Sequence, residues 1–171
     1  RTLEWADARR THDREALDLL VHVLWDVALK FPVIFPVHNR TRDRLIELGL
    51  DAPLRRNSSI VLCGPLGYLD FLGLLVRARL VMTDATAIQE QTTVLDVPCL
   101  TLRTNTEIPV TVTEGTNRLV NPAKQKTIVA AVAETIAAPM PIGRRPRLWD
   151  GHAGDRVVKV IAAWKVAGGG D

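Results

Sequence analysis

The strongest constraint on this chain is a rhythm of strands and helices. Short apolar runs recur about every 20 residues, most of them followed by a stretch with helical spacing. The runs are Val33-Ile34-Phe35, Ser59 to Cys63, Leu80-Val81-Met82, Pro98 to Leu102 and Arg118-Leu119-Val120. The first helical stretch places Leu17, Leu20, Val21, Leu24, Val27 and Ala28 on one face. Thr11 is its expected N-cap, Glu15 lies in its first turn, and it stops before Pro32. Further helices are expected over 38–50, 68–78, 122–137 and 152–166, and from the turn at 83–86 to about Leu95. Segment 51–57 carries Pro53 among polar residues and reads as a loop. Residues 1–11 and 167–171 read as loop or frayed ends.

Strands that alternate with helices imply βαβ units and a parallel sheet. Apolar runs without clean alternation imply strands covered on both faces. The expected fold is therefore α/β: one Rossmann-like, doubly wound parallel sheet across residues 1–171. A 47% hydrophobic composition over 171 residues supplies a real core and excludes disorder for most of the chain. Cys63 and Cys99 are the only cysteines, which excludes a disulfide scaffold and suits reduced thiols in the cytoplasm. The net charge is +3, with acids interspersed among the bases, so no nucleic-acid footprint is expected. No apolar run reaches about 18 residues, so no membrane-spanning helix is expected.

A sheet of this kind binds its ligand at the carboxyl ends of its strands. That rule selects the loops starting near His38, Gly64, Thr83, Arg103 and Asn121. The turn Thr83 to Ala87 leads into a helix and suits a phosphate, or else Asp84 or Thr83 simply caps that helix. Arg103 to Glu107 is a polar run that lines a sugar pocket or is an ordinary solvated loop. His38 stands where it can do acid–base work or cap the helix beginning at Asn39. Tyr68 and Phe71 share a helix face and serve either base stacking or the core. Glycine-rich phosphate loops, CxxC and HExxH are absent, and the four histidines show no metal-ligand spacing.

Four blocks of sequence together carry a family resemblance. They are FPVHNRTRDRL (35–45), GPLGYLDFLGLL (64–75), VMTDATAIQEQTTVLDVPCLTLRTNTEIPVTVTEGTNRLV (81–120) and RPRLWDGHAGDRVV (145–158). Between about Ala16 and Ala162 the chain resembles the C-terminal half of the non-hydrolysing UDP-N-acetylglucosamine 2-epimerases. The resemblance implies the second domain of a glycosyltransferase-B type protein, the one that holds UDP. It implies interconversion of UDP-GlcNAc and UDP-ManNAc by elimination and re-addition of UDP. It implies no cofactor or metal, an N-terminal partner domain that completes the cleft, and a homodimer. By the same resemblance, Phe71 lies against the uracil and the Leu66 backbone bonds its edge. Ala85, Thr86 and Ala87 hold the phosphates, and Gln91 faces the ribose. The candidate catalytic residues are His38, on the substrate side, and Glu107, beside the diphosphate.

The departures from the family pattern cluster in the site. The family's TDSGG is TDATA here, its QEE is QEQ, and the arginine of its TERPE segment is Ile108. Loss of one charge-assisted phosphate contact costs about 1.5–3 kcal/mol. The alternative to an epimerase is a catalytically degenerate nucleotide-sugar-binding or structural module on the same scaffold.

Overall fold

The structure, a computed structural model, describes Thr2–Leu3, 13–140 and 145–168, with side chains for 13–140 and 145–164. Strands are β1 Thr2–Leu3, β2 Val33–Pro36, β3 Ile60–Cys63, β4 Val81–Thr83, β5 Cys99–Thr101 and β6 Asn117–Leu119. Helices are α1 Arg14–Ala28, α2 Asn39–Glu47, α3 Asp51–Arg56, α4 Tyr68–Arg77, α5 Thr86–Val94, α6 Val110–Thr113, α7 Gln125–Ala137 and α8 Ala153–Gly168. All strand pairs are parallel and the order is β3-β2-β1-β4-β5-β6. This is the doubly wound order, and it reverses direction between β1 and β4.

Side-chain alternation along the strands builds two cores. Met82 and Leu100 are register neighbours and face one layer, with Phe35 and Leu102 packed against Leu20 and Leu24 of α1 and Ile128 of α7. Val81 and Cys99, one residue earlier, face the other layer with Leu75 of α4 and Ile88 of α5. Burial pushes the Cys99 thiol up to about 12, so it behaves as a small apolar side chain. All six apolar positions expected on α1 are buried.

Several elements differ from the sequence expectation, each for a physical reason. Thr2–Leu3 lies in what reads as a lead-in loop, yet it is a central strand paired to Ile34, Val81 and Met82. Two residues have no periodicity to detect, and their strand character comes wholly from partners distant in sequence. The cap of α1 is Asp13, whose Oδ1 accepts the Glu15 N–H at 3.0 Å; Thr11 lies outside the described residues. The expected loop 51–57 contains α3, with Pro53 in the first turn, where a missing N–H costs no helix bond. α2 ends at Glu47 rather than 50, and Gly49 at φ +69° turns the chain away. α8 continues through 167–168, which read as frayed; 169–171 lie outside the described residues.

Candidate functional site

The carboxyl ends of the six parallel strands lie along one rim of the sheet, and two features stand next to each other there. The first is a cavity of about 260 Å³ between the ends of β2 and β3 and the helices α4 and α5. His38, Pro65, Leu66, Tyr68, Phe71 and Ile88 line it. The Val37 N–H donates to Cys63 O at 2.9 Å, which keeps these two loops side by side. Phe71 is half-buried against the Leu75–Ile88 core, so one part of the ring is packed and another faces the cavity. His38 is exposed and occupies the N-cap position of α2 without a side-chain cap bond, so the capping alternative fails for it.

The second feature is the start of α5. Its N-cap is Ala85, in extended conformation, whose methyl side chain makes no cap bond. Thr83 Oγ1 accepts the Ala85 N–H at 3.0 Å, which shapes the turn ahead of the helix rather than capping it. The helix therefore opens without a bond from its N-cap residue, and with the positive end of its dipole at the rim. Ala85 packs on the same core cluster as Phe71, and Ile88 belongs to that core and to the cavity wall. The helix start and the aromatic cavity are thus contiguous.

The loop after β5 completes this corner. The Arg103 guanidinium donates to Glu107 through both arms, Nη1 to Oε2 at 2.9 Å and Nη2 to Oε1 at 2.6 Å. The Thr86 hydroxyl donates to the same Glu107 Oε2 at 3.1 Å. The Arg103 hydrogen bonds, above all, hold the Glu107 carboxyl below the usual carboxylate range. Gln91 follows Ala87 by one helical turn; it is half-buried and its Oε1 has no hydrogen-bond partner among the described residues. His38, Leu66 and Phe71 therefore converge on the cavity, while Ala85, Thr86, Ala87 and Glu107 converge on the helix start.

Under this corner lies a buried polar network that the sequence reading missed. Asn117 Nδ2 donates to Gln89 O at 3.0 Å and to Thr93 Oγ1 at 2.8 Å, and its Oδ1 accepts from Thr101 at 3.1 Å. Thr106 Oγ1 donates to the fully buried Gln89 Oε1 at 2.6 Å and accepts the Ile108 N–H at 3.1 Å. The network ties α5, β5, β6 and the 103–109 loop into one frame. Its only sequence signal is the unusual density of threonine and amide side chains between Gln89 and Asn117. Asn117→Leu is expected to cost about 1–3 kcal/mol, because it strips partners from buried groups. Chemical denaturation checks this, and an unchanged midpoint would contradict it.

The sequence model of the UDP-N-acetylglucosamine 2-epimerases matches residues 8–162. This chain belongs to that family. It is 36% identical over 165 residues to the UDP-N-acetylglucosamine 2-epimerase of Methanocaldococcus jannaschii, covering 92% of this chain and 43% of the relative. Against the Methanococcus maripaludis enzyme of the same description it is 35% identical over 161 residues, covering 90% and 42%. The crystal structure of the Methanocaldococcus jannaschii epimerase in complex with UDP-GlcNAc and UDP superposes with a TM-score of 0.79. That match is at 33% identity and covers 95% of this chain and 44% of the other. The chain thus spans under half the length of these relatives. The family match carries the expected Rossmann-like fold with it. No described helix is long and apolar enough to cross a membrane.

Proposed function

We propose that this chain is the UDP-binding half of a UDP-N-acetylglucosamine 2-epimerase-like enzyme of the cytoplasm. The observation that carries this reading is the contiguity of two subsites of different chemistry. An apolar cavity edged by Phe71 and Leu66 suits a pyrimidine, and the start of α5, reached by Arg103 through Glu107, suits a diphosphate. Gln91, one turn along α5, has an amide oxygen that is buried and without a partner among the described residues, so it meets ribose hydroxyls once its side chain turns outward.

In the proposed reaction a base removes the sugar C2 proton, and the electron pair forms a C1–C2 double bond. The C1–O bond breaks and UDP leaves with that bonding pair. Return of a proton to the opposite face of C2 and re-addition of UDP at C1 complete the inversion. UDP must let go of the sugar yet stay in place, so a firm nucleotide grip is the chief demand on this half. His38 and Glu107 face the substrate and diphosphate sides, and the C2 proton carriers belong to the partner domain. α8 supports the need for such a partner: Val157, Val158, Val160, Ile161 and Trp164 are each 50–75% exposed on it. We also expect the complete protein to assemble as a homodimer, and the 171-residue chain alone to turn over no nucleotide sugar.

Isothermal titration with UDP tests the reading. Saturable binding in the micromolar range is expected, and no detectable heat at millimolar UDP would sink it in favour of a structural module. Binding of UDP without turnover by the complete two-domain protein would instead identify the catalytically degenerate binding module.

A further inference from the structure

We infer that Arg103 is the cation that faces a bound diphosphate in this chain, and that Glu107 is its resting counter-ion, displaced when the ligand arrives. The inference deepens the functional reading above and rests on it. It starts from where the backbone puts Arg103. The Leu102 N–H donates to Thr83 O at 2.8 Å, so the strand end that delivers Arg103 is stitched to the strand end that launches α5. The Arg103 N–H donates back to Thr101 O at 2.8 Å, a tight turn that fixes the base of the side chain at the rim.

An anion already sits in the corner so formed. The Glu107 carboxylate accepts both arms of the guanidinium fork and the hydroxyl of Thr86, the first residue of α5. Those donors form a set that a phosphate group can take over: a planar fork, a hydroxyl and a helix start. The protein's own carboxylate marks the place and the charge preference of the site. The neighbouring Ile108 contributes no charge, whereas the Arg103 guanidinium reaches this corner through its bond to Glu107.

The arrangement also lets the carboxylate leave at low cost. The Arg103–Glu107 pair is exposed on the glutamate side, with 59% of the Glu107 side chain open to solvent. Exposed pairs of this kind hold weakly, and a diphosphate brings more negative charge to the same fork. The backbone on either side of Glu107 is anchored, through Thr106 to Gln89 and through the Thr111 hydroxyl to Ile108 O at 2.8 Å. Displacement therefore needs a rotation of one side chain, not a rearrangement of the loop.

The test compares UDP with uridine on the 171-residue chain, by isothermal titration for UDP and ligand-observed NMR for uridine. Arg103→Gln is expected to weaken UDP at least tenfold and leave uridine unchanged. Glu107→Gln is expected to tighten UDP several-fold, again with uridine unchanged, because it removes the competitor and keeps the side-chain volume. Arg103→Lys should fall between wild type and Arg103→Gln, since a single ammonium cannot match the fork. Unchanged UDP affinity in Arg103→Gln overturns the inference while the functional reading stands. Weaker UDP binding in Glu107→Gln overturns the counter-ion role. A wild-type chain that binds neither ligand removes the functional reading itself.

Discussion

Gly115→Ala is expected to lower the melting temperature by roughly 6–12 °C, from a strain of about 3 kcal/mol at about 2–4 °C per kcal/mol. A Cβ on Gly115 would collide with the Thr111 carbonyl oxygen and lie 2.7 Å from Thr93 Oγ1 and 2.8 Å from Thr93 Cγ2. None of these neighbours can step aside freely. The Thr111 oxygen is backbone, and the Gly115 N–H is itself bound to Val110 O at 3.1 Å across the same turn. Thr93 is fully buried, and its hydroxyl holds both Asn117 Nδ2 and Gln89 O. The methyl must therefore push α6 away from α5, which opens the buried network and tilts the loop that carries Arg103 and Glu107. Thermal melting followed by circular dichroism measures the effect. A shift under 2 °C would show that the α5–α6 contact relaxes far more readily than its hydrogen bonds imply.

That single glycine illustrates what could and could not be read from the residues in order. The layers were legible because burial leaves a periodic trace: Leu17, Leu20, Val21, Leu24, Val27 and Ala28 announce α1 by spacing alone, and all six are buried. The carboxyl-end rule selected the loops starting near His38, Gly64 and Thr83, and the first two of these flank the rim cavity while the third leads into α5. Elements without a trace of their own were not legible. β1 is two residues long and is a strand only because β2 and β4 flank it. α6 is Val-Thr-Val-Thr, a run whose β-branched side chains favour strands, and it is helical here because the chain turns back onto α5. The Arg103–Glu107 clamp has the i,i+4 spacing of a helical pair but sits in a loop, where spacing does not determine distance. That an isoleucine stands at 108 is legible in sequence; that the guanidinium five residues earlier reaches the same corner follows only from the turn at Leu102–Arg103.

Phe71→Ala is expected to weaken UDP by about 5- to 150-fold, the equivalent of about 1–3 kcal/mol for the loss of an aromatic platform under a base. The ring is held in place for that role by its own helix: α4 starts at Tyr68, immediately after the strand-end loop that carries Leu66, and its first turn points Phe71 at the cavity. Its inner edge packs on the Leu75–Ile88 core, so the ring is already ordered and loses little freedom when a ligand stacks on it. Because Phe71 also supports that core, loss of affinity in Phe71→Ala alone would be ambiguous. Phe71→Leu separates the two contributions, since leucine keeps apolar contact with Leu75 and Ile88 but offers no flat face. UDP binding is expected to stay well below wild type in Phe71→Leu while thermal stability returns close to it. Uridine should lose as much affinity as UDP in both variants, the opposite of the pattern expected for Arg103→Gln, where the phosphates alone are affected. Two affinities measured on the same variants thus assign the base and the diphosphate to different residues. Full UDP affinity in Phe71→Leu would place the uracil elsewhere on the rim.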